Sequence, residues 1–203
     1  ARSGGATGVL DADWNGPTIP RHLEAASPLA SLAAGPRTTP DGVEPATGLD
    51  GVRCISMALL LEDGAPLAFR GPAAESFVWR GAMEAAGLRE FMGDVVWGSL
   101  DMLLVDLPPG IQRYTELCDI LGSAPPVLTV TIPTPESRDA VRRAMRAAVD
   151  RGSQLLGIVE NMAGGQFEGS AGDDLAAEFA RRVLGRIPWH PAPDAWTALG
   201  TRL

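Results

Sequence analysis

The 203-residue sequence contains no lysine; all seventeen of its basic residues are arginine. Any mechanism that depends on a lysine side chain is thereby excluded. Cysteine is nearly as scarce. Cys54 and Cys118 lie far apart and outside any CxxC, so neither a disulfide framework nor a zinc site is indicated, and both read as small buried hydrophobes. The two histidines, His22 and His190, are too isolated to form a metal site or a triad and read as surface or packing residues. Positive charge is also in deficit. A net charge of -8 and an isoelectric point near 4.7 disfavour nucleic acid as a partner, because nonspecific binding to phosphates needs clustered arginine and lysine. No apolar run approaches the length of a membrane span, and Ala1 to Asp13 lacks the charged flank and apolar stretch of a signal peptide. Near the C-terminus, Trp196, Leu199 and Leu203 make only a short segment almost without basic residues, which argues against a membrane-lying helix. The expectation is a cytoplasmic protein with no membrane and no nucleic-acid partner.

What is present is enough for one substantial core, with 45% hydrophobic residues in a chain of single-domain length, so residues 1–203 read as one domain. Glycine and proline are scattered between apolar runs and punctuate a fold. Thr7 to Leu10 reads as a strand opening into Asp11-Ala12-Asp13. The stretch from Ser27 to Asp50, rich in Pro, Gly, Ala and Thr and without a clear period, reads as a long functional loop. Val52 to Leu61 reads as a strand, Ala73 to Met92 as a helix, and Met102 to Val105 as a strand buried on both faces. Val127 to Ile132 gives another strand. Pro135 to Asp150 is a helix with Ala140, Val141, Ala144, Met145 and Ala148 on one face and its arginines mostly solvated. Leu155 to Val159 is a strand, Ala171 to Leu184 a helix, and Arg186 to Pro188 a short last strand. This alternation predicts an α/β fold with a mostly parallel sheet and helices on both faces, and places functional residues at the C-terminal ends of strands.

Three strand ends carry polar residues: Asp11 with Asp13, Asp106 with Gly110 beyond it, and Asn161. An aspartate closing an apolar strand can hold magnesium through water, since that hard cation prefers oxygen ligands and keeps part of its hydration shell. Gly110 would let the backbone approach a phosphate with no side chain in the way.

Taken in order, several strings resemble one family: Val9 to Asp13, Asn15 to Arg21, Trp79-Arg80-Gly81, Val96-Trp97-Gly98, Leu103 to Gly110, and Gly157 to Met162. Together they are similar to the Mrp (ApbC) proteins, MinD/ParA-like P-loop ATPases described as iron–sulfur cluster carriers that act as nucleotide-bridged dimers. The resemblance runs from Gly5 almost to Pro188. It implies a MinD-like P-loop NTPase fold, ATP and Mg2+ as cofactors, ATP hydrolysis, a homodimer, and an iron–sulfur apoprotein or scaffold as partner. By this resemblance Asp11 is the first switch carboxylate, near the metal and nucleotide, and Asp13 is the catalytic residue that orients or activates the attacking water. Asp106 is the Walker B metal residue. Asn161 reads adenine, offering both a donor and an acceptor, and Pro188 lines the base pocket.

Two departures qualify what the resemblance implies. The family's first strand and the Gly-rich Walker A loop with two lysines would precede Ala1, and neither is in this sequence. The chain therefore reads as N-terminally truncated, with two interior sheet edges left open and no turnover expected of it alone. Carrier members also place a CxxC pair after the Glu-Asn-Met string, where this chain reads Ala163-Gly164-Gly165-Gln166-Phe167-Glu168-Gly169. Thiolates ligate such clusters, so the cluster is implied by the family only. The alternative reading is a catalytically silent MinD-like binding module. A ParA-like partitioning factor would need a basic face or membrane helix that the sequence lacks.

Overall fold

Strong apolar runs closed by polar residues become the strands of a computed structural model that describes residues 4–24, 37–59, 76–165, 167 and 169–190. The chain divides into two compact units, residues 1–109 and 110–203. In the first, β1 (Thr7–Asp11) pairs in parallel with both β5 (Arg53–Ser56) and β6 (Met102–Asp106), while β4 (Ala46–Thr47) adds antiparallel to β5. The order is β4-β5-β1-β6. Central placement explains why Leu10, Cys54 and Ile55 are fully buried. A short helix α1 (Ile19–Glu24) follows β1, and α2 (Ser76–Gly93) precedes β6.

Three expectations for this unit are corrected. The Ser27 to Asp50 stretch is not a structureless loop where it is described: β2 (Arg37–Thr39) and β3 (Gly42–Glu44) form an antiparallel hairpin, and β4 follows at once. Residues 27–36 lie outside the described residues. Of the strand expected over Val52 to Leu61, β5 forms and Met57–Leu59 turns into a single 3-10 turn as the chain leaves the sheet, while residues 60 and 61 lie outside the described residues. The strand β6 is not buried on both faces. It lies at an edge, and Met102 and Leu104 remain about half exposed.

The second unit holds a three-stranded parallel sheet, β7 (Val127–Thr131), β8 (Leu155–Ala163) and β9 (Val183–Pro188). It also contains α3 (Gln112–Leu121), α4 (Pro135–Asp150) and α5 (Ala171–Phe179). Helix α4 starts where its sequence says it should. Thr134 is extended and its hydroxyl accepts the N–H of Ser137, Pro135 occupies the first turn, and Glu136 complements the helix dipole. Met145, Ala148, Ile158, Leu175 and Ile187 make the core. Ala140, expected on the buried face, is exposed; the α4 arginines instead reach across to α5, with Arg138 on Asp174 and Arg142 and Arg146 on Glu178. Helix α5 stops at Phe179, short of the expected Leu184, because Ala180 turns left-handed and frees Val183 to begin β9 beside Ile158. Strand β8 runs past Val159 to Ala163. The result is an α/β fold with a mostly parallel sheet and helices.

Candidate functional site

In the first unit, parallel register brings Ser56, Asp11 and Asp106 side by side on β5, β1 and β6. All three close an apolar strand at its C-terminal end, so the aligned strand ends create a polar rim. Asp11 is 1% exposed and fully engaged. Its Oδ1 accepts the N–H of Asp13 at 3.2 Å; its Oδ2 accepts the N–H of Ile19 at 3.2 Å and the hydroxyl of Ser56 at 3.1 Å. Ser56 in turn accepts the N–H of Ala58. Burial pushes the Asp11 carboxyl above the usual range, and these hydrogen bonds pull it back only in part.

Asp13 is half-buried in the turn that follows. Its Oδ1 accepts the N–H groups of Asn15 and Gly16, an Asx-type turn, and its Oδ2 has no hydrogen-bond partner among the described residues. The neighbouring Trp14 is buried against Phe91 of α2 and anchors this turn to the core. Asp106 sits at the solvent-facing end of β6. Its carboxyl is nevertheless raised, first by desolvation and then by the charges of Asp11 and Asp13, while His22 on α1 works the other way. Such a set of carboxylates gains from a cation. Among the described residues no three carboxylates, imidazoles or thiols converge into a group that could hold a metal ion.

In the second unit, Gly110 is exposed with φ +107, a conformation that favours glycine, and nothing would meet a Cβ there. Asn161 lies near the C-terminal end of β8. Its Oδ1 accepts the N–H of Met162 at 2.9 Å, while Met162 itself is left-handed with φ 60. Pro188 ends β9 opposite Ala163, so it and Asn161 occupy neighbouring strand ends.

Sequence reasoning missed three residues that bear on these sites. Ser56 could have been found by the signal that found the aspartates, a polar residue closing an apolar strand. His22 acts on Asp106 only through the fold. Glu160, a carboxylate buried within β8, reads in sequence as one letter of a motif.

Comparison with known proteins places the chain. The family described as ParA, NUBPL iron-transfer P-loop NTPase, matches residues 1–201. The chain belongs to this family. Similar relatives include a cytosolic Fe-S cluster assembly factor CFD1 of Chaetomium globosum, 34% identical over 94% of this chain and 66% of its own length. The iron-sulfur cluster carrier protein of Saccharolobus solfataricus is 30% identical over 95% of this chain and 64% of its own, and that of Methanocaldococcus jannaschii 34% identical over 91% and 62%. The chain thus spans a little under two thirds of the length of these relatives. Among solved structures, a nucleotide-binding protein from Archaeoglobus fulgidus in complex with ADP has a TM-score of 0.68 and 25% identity, covering 99% of this chain and 75% of that one. The cell division ATPase MinD of Pyrococcus furiosus, with a TM-score of 0.57 and 16% identity over 100% of this chain and 77% of that one, shares the fold. The resemblance to iron–sulfur carriers of the MinD/ParA type therefore stands.

This member of the NUBPL iron-transfer P-loop NTPase family has both of its thiols buried. The Cys54 thiol is pushed up to about 12, chiefly by burial and then by the charge of Asp11, so it stays protonated near neutrality and is a poor ligand. No helix among the described residues is long and apolar enough to cross a membrane.

Proposed function

We propose that this chain is the nucleotide-handling body of an ATP-binding, ATP-hydrolysing iron–sulfur cluster carrier or assembly factor that works in the cytosol as a homodimer. The observation that carries the reading is the row of carboxylates at the strand ends of the first unit, in a family of P-loop NTPases. The donor set fits Mg2+: oxygen atoms, clustered negative charge, and carboxyls raised by burial and by one another. Asp106 is the metal residue of this proposal. Asp11 would help to hold the metal, and with both oxygens engaged it fixes the turn bearing Asp13. A magnesium ion held there would supply charge neutralisation for phosphoryl transfer. Asp13, through its open Oδ2, orients the attacking water; Gly110 lets backbone approach the phosphates; Asn161 contacts the base and Pro188 lines its pocket.

The cluster is cargo, and the residues present do not fit it. Residues 163–169 contain no thiol, and Cys54 and Cys118 are buried. This observation favours the second reading, a catalytically silent binding module that retains the fold. Anaerobic reconstitution with iron and sulfide separates them: the structure calls for no stable chromophore on this chain, and one lost on mutation of Cys54 or Cys118 would restore cargo binding. The nucleotide reading is tested by calorimetric titration of the full-length gene product with Mg–ATP. Asn161→Ala should weaken ATP by roughly tenfold, the worth of a hydrogen bond to a buried base; equal affinity would remove Asn161 from the base site.

A further inference from the structure

Glu160 is 2% exposed, and the proposed chemistry gives it no task. A buried carboxylate is costly unless it is both hydrogen-bonded and paired. Glu160 is both. Its Oε2 accepts the N–H of Gly172 in the first turn of α5 at 2.7 Å, and its Oε1 accepts the Nε–H of Arg186 on β9 at 3.1 Å. Arg186 is itself held, its Nη2 donating to Asp173 of α5 at 2.5 Å. One side chain on β8 thus ties the elements that follow it in the chain. The grip on α5 depends on glycine: a Cβ at Gly172 would lie 2.9 Å from Oε2.

Immediately beyond Glu160 the strand changes character. Its register with β9 shifts between Glu160 and Ala163, and Met162 takes a left-handed conformation. A non-glycine residue there costs roughly 1–3 kcal/mol and persists only where its surroundings over-determine it. In this geometry the N–H of Met162 holds Asn161 Oδ1, and Asn161 Nδ2 keeps no partner among the described residues.

We propose that Glu160 is the positioning residue for Asn161: by clamping α5 and β9 it fixes the kinked end of β8 that pins Asn161 Oδ1 to Met162 and leaves Nδ2 as the free donor, so the ligand edge met there carries a hydrogen-bond acceptor such as a purine ring nitrogen. The ligand part rests on the reading of Asn161 as a base contact; the positioning part does not. A purely structural carboxylate would stabilise the whole unit evenly. A positioning residue acts locally.

The test is amide hydrogen exchange and 1H–15N spectra of the full chain in Glu160→Gln, which keeps one carbonyl for Gly172 and loses the carboxylate on Arg186. Met162 should exchange at least roughly tenfold faster and the Asn161 side-chain amide pair should shift, while Ile158 and Leu175 stay within about threefold of the parent. Should Glu160→Gln fail to fold, Arg186→Met, which spares the Gly172 bond, carries the same comparison. Unchanged exchange at Met162, or acceleration in step with Ile158 and Leu175, overturns the proposal. Nucleotide titrations of Asn161→Ala and Glu160→Gln run in parallel. If Asn161→Ala binds as the parent does, the base-contact reading fails while the exchange result still decides the role of Glu160.

Discussion

Replacing Gly87 with alanine sets two effects of opposite sign against each other. In the middle of α2, glycine is less favourable than alanine by roughly 0.5–1 kcal/mol, so on helix propensity alone the substitution stabilises. The added Cβ, however, would fall 1.8 Å from the Cη2 atom of Trp14 and 2.6 Å from Cζ3. The indole is rigid, 6% exposed, and backed by Phe91 at 5.5 Å between ring centroids, one turn further along the same helix. It has no soft direction of retreat. Overpacking of this kind costs about 1–3 kcal/mol, and a contact this short on an aromatic ring belongs at the top of that range. The balance is a net loss of about 2 kcal/mol, or roughly 4–8 °C in Tm for a chain of this size. Thermal melting followed by circular dichroism measures it, and Trp14→Phe in the Gly87→Ala background should recover part of the loss by removing ring atoms. A Gly87→Ala variant that melts at or above the parent would show that Trp14 does not pack over α2 and that the turn bearing Asp13 is anchored otherwise.

Ser56→Ala should cost about 2 kcal/mol, because it removes a donor from the buried Asp11 carboxylate, read as a lowered denaturant midpoint at unchanged m; a loss within about 0.5 kcal/mol would show that water takes the place of the hydroxyl. Asp106→Asn should stabilise the fold in a pH-dependent way. Since the folded carboxyl is raised above its ordinary 3.8, the fold favours the protonated form. The native residue therefore costs nothing below 3.8 and progressively more as pH rises through the raised value. The gain in melting temperature should accordingly be absent near pH 3 and grow as pH rises through the raised value, and Mg2+ should narrow it; a gain constant with pH would refute the electrostatic account.

Much of this was legible in the chain because local signals agreed with tertiary placement. The start of helix α4 follows from the capping chemistry of Thr134-Pro135-Glu136. The strand ends at Asp11 and Asp106 were visible because in each a carboxylate closes an apolar run. Where sequence reading failed, the deciding interaction was remote. Val183 and Leu184 fit a helical face as well as a strand, and only pairing with β8 decides for the strand. Met102 to Val105 has the composition of a central strand, yet burial is a property of neighbours. The partners of Asp11 were equally hidden: Ile19 and Ser56 occupy one of its oxygens and Asp13 the other. Glu160 and Arg186 meet across 26 positions of sequence, and no periodicity announces such a pair.

The most direct test of the central claim is steady-state Mg–ATP turnover by the full-length gene product, parent against Asp13→Ala, with binding measured on the same samples. If Asp13 orients the attacking water from its open Oδ2, kcat should fall by roughly 100-fold or more while affinity changes by less than about threefold. Equal turnover in the two proteins would contradict the assignment of this carboxylate row as the site of hydrolysis.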